Sequence, residues 1–302
     1  MLEKGWKVCG TVYHTSRNVA KLLDKICLVE MDIEDASRLR TLVAETKPDV
    51  VFHLASQAYV EPSWLDPEGT LRTNILGTLY LLEAIRVSKI DPVVVVTGSS
   101  AEYGLYRQEE GPISEEQAFR PGSPYAVSKI GEDMLAYTYW RSYGLRVIRV
   151  RPFALIGPRK TQDAVSDFAR GIVRIERGQA ETLSVGNLEA IRDVVDVRDG
   201  VRAMALLAEC GLYGEAYNIC AGIGRTLREI LNELIIVSNR PINVIVDPER
   251  MRRLDDSVLV GDSRKLQRLG WKPEIQLRQT LADILAFWRT ASDSAEVEKV
   301  HC

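Results

Sequence analysis

Residues 92–100 read Pro92-Val-Val-Val-Val-Thr-Gly-Ser-Ser100. Four consecutive valines suit a strand buried on both faces, since a half-exposed strand would alternate apolar and polar side chains. Such strands belong to parallel sheets covered by helices. Working outward, KVCGTVY (7–13), ICLVEMD (26–32), DVVFHLA (49–55) and LRVIRVRPF (145–153) also read as strands. Between them, residues 35–46, 67–88 and 123–143 space their apolar side chains as helices do. Strand and helix alternating in this way predict an α/β fold, a doubly wound parallel sheet with ligands at the carboxyl edge of its strands.

Beyond residue 155 the pattern is less regular. Helical spacing covers about 160–178, 197–209, 226–238 and 278–290, with the short strand-like runs TLSV and YNIC between. The expected division is a dinucleotide-binding domain over 1–155 and, over 156–302, mainly a smaller interleaved substrate lobe with parts returning to the first domain. The beginning departs from this plan. MLEKG reads as a helix end capped by Gly5, followed at once by a strand. A dinucleotide-binding unit opens with a strand and a GxGxxG turn, whose bare backbone approaches a pyrophosphate at a helix N-terminus. No such turn occurs here. That strand is normally central, so its loss is expected to leave two neighbours with unpaired backbone groups. Either about twenty residues precede this start, or the chain is a damaged or specialised paralogue.

Composition removes several classes of function. With 302 residues, 46% of them hydrophobic, the chain can bury a sizeable core. A net charge of -3 and no Lys/Arg-dense run argue against a nucleic-acid partner. No apolar stretch reaches the roughly 18 residues of a membrane span, and MLEKGWKVCG lacks a signal peptide's apolar segment, so a cytoplasmic protein off the membrane is expected. The five cysteines are scattered and never form CxxC. They are expected to be buried or inert thiols, without a disulfide framework or a zinc site. His14, His53 and His301 show no metal-ligand spacing, and no metal is expected.

The residues that carry chemistry cluster around Tyr125-Ala-Val-Ser-Lys129, after a PGSP helix start. A four-residue separation puts phenol and ammonium on one helix face, where the cation lowers the phenol pKa and makes it a usable acid or base. By itself this motif is weak, since any helix can contain it by chance as a surface lysine beside a packed tyrosine. Its context adds weight. The buried-strand pattern upstream ends in Thr97-Gly-Ser99-Ser100-Ala-Glu102-Tyr-Gly104, setting hydroxyls at a strand's carboxyl end, and Arg151-Pro-Phe-Ala-Leu-Ile-Gly-Pro158 ends the next strand.

Together, DVVFHLASQ, TNILGT, SSAEYG, YAVSK, RPFALIGP and VGNLEAIRDVVDVRD resemble the extended short-chain dehydrogenases/reductases of nucleotide sugars, the NAD-dependent epimerase/dehydratase family. The resemblance spans the chain except its start. With GEAYNICAG and LVGDSRKLQRLGWKPE, it is nearest to the branch acting on GDP-mannose derivatives, the 4,6-dehydratases and the GDP-4-keto-6-deoxy-mannose reductases. It implies a Rossmann-like fold in which Tyr125 is the acid/base, Lys129 binds the nicotinamide ribose and tunes the tyrosine, and Ser99 orients the sugar oxygen. Asp32 matches the carboxylate that receives the adenine amine, with a helix N-cap as the equal alternative. Ala55 and Gln57 match the loop near the cofactor ribose. Asn74 matches the family's helix asparagine, a plain structural amide being the alternative. On the substrate side stand Ser100, Glu102 and Asn187, with Arg192 and Arg252 matching the arginines that clamp the nucleotide phosphates. A homodimer through the YxxxK helix is implied, and MLAYTYW (134–140) fits a partner face or core packing equally.

Dehydratases place a carboxylate two residues after the catalytic hydroxyl; that position here is Ala101. Glu102, one residue on, would point to the opposite face of an extended strand. The expected reaction is therefore NAD(P)H-dependent reduction of a GDP-4-keto-6-deoxy-hexose, with GDP-mannose 4,6-dehydration or non-catalytic nucleotide-sugar binding as alternatives. No acidic residue ends the strand at 7–13, the place of the second strand in such folds, to hold a ribose 2′-hydroxyl, and Arg17 follows soon after, which favours NADP(H) over NAD(H). Ala154 replaces an asparagine usual in the branch, and Arg253 a proline.

Overall fold

The valine run forms a strand with its valines buried, hydrogen-bonded in parallel to a neighbour on each side. In the computed structural model, which describes residues 1–14, 17–251 and 258–291, the first half supplies β1 (Cys9–Val12), β2 (Cys27–Glu30), α1 (Ala36–Thr46), β3 (Val50–His53), α2 (Val60–Leu65), α3 (Pro67–Leu71), α4 (Gly77–Ser88), β4 (Val93–Thr97), α5 (Pro124–Tyr143) and β5 (Arg146–Pro152). The second half supplies β6 (Ala154–Ile156), α6 (Ala164–Glu176), β7 (Thr182–Val185), β8 (Ile191–Asp196), α7 (Val197–Cys210), β9 (Ala216–Ile219), β10 (Gly224–Thr226), α8 (Leu227–Ser238), β11 (Asn243–Val246), β12 (Val258–Leu259), α9 (Arg264–Gln267) and α10 (Leu277–Thr290).

Strands run in the order β3-β4-β5-β9, while β1 and β2 form a separate parallel pair. This is the expected Rossmann-like α/β architecture, with its parallel strands in two sheets. One core joins Val94 and Val96 of β4 and Val147 of β5 to Leu39 and Val43 of α1, Leu82 and Ile85 of α4, and Ala136 of α5. Val93 and Val95 point to the other face and are buried too, which explains the uninterrupted run. Helix α5 begins where PGSP indicated: the Ser123 hydroxyl accepts from Ala126 N, Pro124 occupies the first turn, and Gly144 ends the helix at φ 71°. The helix expected over 67–88 is broken into α3, a π-helical turn at Arg72–Leu76, and α4.

The chain divides into two compact units, one of Met1–Gly98, Ser123–Val150 and Met204–Ala216, the other of Ser99–Gly122, Arg151–Ala203 and the residues from Tyr217 onward. The linear split near residue 155 does not capture this. Ser99–Gly122 belongs to the second unit because Ile113 donates to Val260 O (2.8 Å), Asp262 N donates to Ile113 O (2.9 Å), and the Tyr103 hydroxyl donates to Asn218 Oδ1 (2.7 Å). Met204–Ala216 returns to the first, where Gly214 N donates to Val147 O (2.6 Å) and Arg149 N to Glu215 O (3.0 Å). In the second unit, β8 pairs antiparallel with β10 and parallel with β6 and β12, and β7 pairs with β11. Its core joins Phe168 and Ile172 of α6, Leu183 of β7, Leu231 and Leu234 of α8, and Leu281, Leu285 and Trp288 of α10. Among the described residues no helix is long and apolar enough to cross a membrane.

Candidate functional site

In the first unit, Tyr125 and Lys129 stand one turn apart near the start of α5, as their spacing required. The Lys129 ammonium lies 5.9 Å from the Tyr125 ring centroid and donates to Thr97 O (3.0 Å), at the carboxyl end of β4. It also pairs with Glu132 (3.0 Å), one turn further along α5. Both side chains of this pair are nearly inaccessible, at 4% and 1%. Burial pushes the Glu132 carboxyl up to about 7 although the Lys129 charge opposes that rise. Sequence reading passed over Glu132; only its offset of three residues from Lys129 on one helix face could have marked it.

Asn74 lies in the π-helical turn, fully buried. Its amide donates to Ser128 Oγ (2.8 Å) and Gln57 O (3.0 Å) and accepts from Gln57 N (2.7 Å). These bonds clamp the loop after β3 to the YxxxK helix. The Gln57 side chain donates to Tyr59 O (2.9 Å) in the same loop and to Thr70 Oγ1 (3.1 Å) on α3. Ala55 lies half-buried just past β3. His53, at the end of β3, is buried with its Nε2 2.8 Å from Thr78 Oγ1, and Thr78 donates to Asn74 O (2.7 Å). Burial, then the Lys129 charge, holds the imidazole pKa down at about 3, so the ring is neutral. Asp32, just beyond β2, accepts from Glu34 N (2.9 Å). It is not the N-cap considered as its alternative role: α1 is capped by Asp35, which accepts from Arg38 N (2.9 Å). Arg17 opens a 3-10 turn, Arg17–Leu22.

In the second unit, Ser99 is the N-cap of the 3-10 turn Ser100–Glu102. Its hydroxyl oxygen accepts from Ala101 N (3.1 Å), and Glu102 accepts from Ser99 N (2.7 Å). Ser100 is buried. Glu102 is completely buried and pairs with the equally inaccessible Arg151 (3.2 Å), so it does not stand as the expected substrate ligand. The local turn explains the change, because a 3-10 turn folds the residue back on Ser99 where an extended strand would point it away. Arg151 also donates to the Tyr103 hydroxyl (2.9 Å) and Glu115 O (3.0 Å), making one network beneath the Ser99 turn.

Asn187 accepts from Glu189 N (2.9 Å) in the turn between β7 and β8. Arg192, on β8, is half-buried and donates to Ile191 O (3.0 Å). Arg252 and Arg253 lie outside the described residues. Next to Arg192, Asp193 accepts from Ala221 N and Gly222 N (2.8 Å each) and Gly261 N (3.2 Å). Thus the motifs VGNLEAIRDVVDVRD, GEAYNICAG and LVGDSRK, distant in sequence, are tied by one carboxylate.

A nicotinamide ribose presents two vicinal hydroxyls to the residues that hold it. Thr97 Oγ1 is a buried hydroxyl oxygen without a hydrogen-bond partner among the described residues. It belongs to the residue whose carbonyl anchors the Lys129 ammonium. An orphaned hydroxyl beside an anchored ammonium suits a ligand bearing vicinal hydroxyls, and the residues present fit the group.

A sequence model of the family described as GDP-mannose 4,6 dehydratase matches residues 1–284. The chain is 37% identical to a GDP-6-deoxy-D-mannose reductase of Pseudomonas aeruginosa over 246 residues, 80% of this chain and 81% of the relative. It is 30% identical to a GDP-mannose 4,6-dehydratase of Vibrio cholerae, covering 100% of this chain and 92% of that one. Among solved structures, RMD from Pseudomonas aeruginosa complexed with NADPH superposes with a TM-score of 0.84 at 31% identity, over 94% of this chain and 99% of the other. A UDP-glucose 4-epimerase from Thermotoga maritima with UDP-glucose gives 0.87 at 28% identity, over 95% and 92%.

Proposed function

Since the chain belongs to the GDP-mannose 4,6-dehydratase family, we propose that it is a nucleotide-sugar oxidoreductase that reduces the 4-keto group of a GDP-4-keto-6-deoxy-hexose such as GDP-4-keto-6-deoxy-mannose. The observation that carries reduction over dehydration is the place of Glu102. Dehydration needs a carboxylate beside the reacting hydroxyl to remove a proton next to the ketone. Ala101 stands at that position, and the neighbouring Glu102 is buried against Arg151. Reduction needs only a hydride and a proton.

The cofactor, when bound, supplies the hydride. Tyr125 gives its phenolic proton to the carbonyl oxygen as that oxygen becomes an alkoxide. Lys129, held at Thr97 O and Glu132, stabilises the tyrosinate left behind. The Ser99 hydroxyl, whose oxygen accepts from Ala101 N, donates its proton to the sugar oxygen. Lys129, Arg17, Asp32 and Ala55 hold NADP(H) in preference to NAD(H), with Asn74 and Gln57 shaping the loop beside it. Arg192 and Arg252 take the GDP phosphates, with Asn187 and Ser100 on the sugar side. The protein works as a homodimer through α5, which leaves Val127 and Met134 exposed.

The test offers NADPH and GDP-4-keto-6-deoxy-mannose to the protein, following cofactor oxidation. Turnover is expected, and Tyr125→Phe should slow it about 10²–10⁴-fold. Conversion of GDP-mannose itself to the 4-keto product would replace the reductase reading with a dehydratase. Ala154, in place of the branch's usual asparagine, also favours a second reading, a nucleotide-sugar-binding paralogue; GDP-sugar binding with no cofactor consumed would select it.

A further inference from the structure

Cys9 and Cys27 read as unrelated thiols along the sequence, but the parallel ladder of β1 and β2 sets them directly opposite each other. Direct partners in neighbouring strands project from the same face of a sheet. Neighbouring strands lie about 4.8 Å apart, within the roughly 4.4–6.8 Å that separates the Cα atoms of a disulfide. Both side chains are exposed. The two other described cysteines are placed differently. Cys220 is buried, and Cys210, on α7, donates to Leu206 O of its own helix (3.2 Å).

We propose that Cys9 and Cys27 form a redox-active dithiol that closes to a reversible disulfide on reaction with a low-molecular-weight disulfide. One protein thiolate attacks the small disulfide, forming a mixed disulfide and releasing one small thiol. The second protein thiolate then attacks the protein sulfur of that mixed bond, closing the Cys9–Cys27 bridge and releasing the other small thiol. The protein loses two thiol hydrogens and two electrons, and the small disulfide is reduced to two thiols. The bridge ties the amino ends of β1 and β2 and encloses the connection that carries the Arg17–Leu22 turn. Being exposed, it belongs to the readily reduced kind.

The full chain, reduced, is incubated folded with excess oxidised glutathione, quenched with acid, alkylated with iodoacetamide and digested with trypsin. The intact chain is expected to lose two hydrogens and carry no glutathione on Cys9 or Cys27. Peptides 8–17 and 26–38 should appear linked and separate again with dithiothreitol. Cys9→Ser and Cys27→Ser should each leave a glutathione adduct on the remaining partner, while Cys210→Ser should leave the bridge intact. Separate glutathione adducts on both cysteines of the unsubstituted chain would overturn the proposal. So would a bridge from either one to another cysteine, or both remaining unreacted.

Discussion

His53 shows how burial at a single residue sets the behaviour of the folded protein with pH. Its ring is neutral in the fold, with its pKa down at about 3 from 6.5 because burial and the Lys129 charge both disfavour a second proton. The unfolded chain takes up that proton as pH falls below 6.5, and the folded chain does not until near 3. This contribution to stability is therefore present above 6.5 and is lost as pH falls toward 3, by up to about 1.4 kcal/mol per pH unit. Urea unfolding of His53→Gln across this window should give a shallower dependence than the parent, and identical slopes would remove the argument. Glu132 makes a different case. Glu132→Gln leaves the buried Lys129 ammonium against a neutral amide and should lower unfolding free energy by about 3–5 kcal/mol. Lys129→Met/Glu132→Leu, which removes both charges, should recover much of it in the same measurement. Tyr125 and Lys129 were legible in the sequence because helical spacing alone relates them. The Glu102–Arg151 pair was not, since its two members come from different segments of the chain.

At the scale of elements, two left-handed glycines separate conformational cost from packing cost. Gly144 ends α5 at φ 71° with open space where a Cβ would stand, so Gly144→Ala should cost only backbone strain, about 1–2 kcal/mol. Gly104 closes the SSAEYG turn at φ 61°, and a Cβ there would lie 1.7 Å from Arg120 O. Gly104→Ala must displace backbone and should destabilise more than Gly144→Ala in parallel urea titrations; equal losses would mean that the turn yields. The strands around the valine run were legible because continuous burial leaves a continuous apolar signal. Strands β8 and β10 were not, because consecutive charges at Arg192 and Asp193 in β8 and Arg225 in the three-residue β10 break any apolar alternation. The break of 67–88 at a π-turn was equally hidden, since it serves Asn74's long-range hydrogen bonds to Gln57 and Ser128.

For the whole molecule, assembly is the nearest test. Val127 and Met134 are exposed seven residues apart, two turns along one face of α5. If that face pairs two copies, light scattering should report a dimer for the parent chain and a monomer for Val127→Glu/Met134→Glu. A monomeric parent would dismiss the dimer. The sequence by itself determined the α/β class, the parallel valine strand, the YxxxK helix with its caps and the hydroxyl-bearing turn after β4, because each depends on periodicity or on contacts within a few residues. Only the tertiary structure decided that Ser99–Gly122 belongs to the second unit, that Glu102 is a buried partner of Arg151, that Asp193 joins three distant motifs, and that Cys9 faces Cys27. Those are pairings between segments far apart in the chain, selected by strand register and by the need of buried polar groups for partners, and no local pattern in the sequence records them.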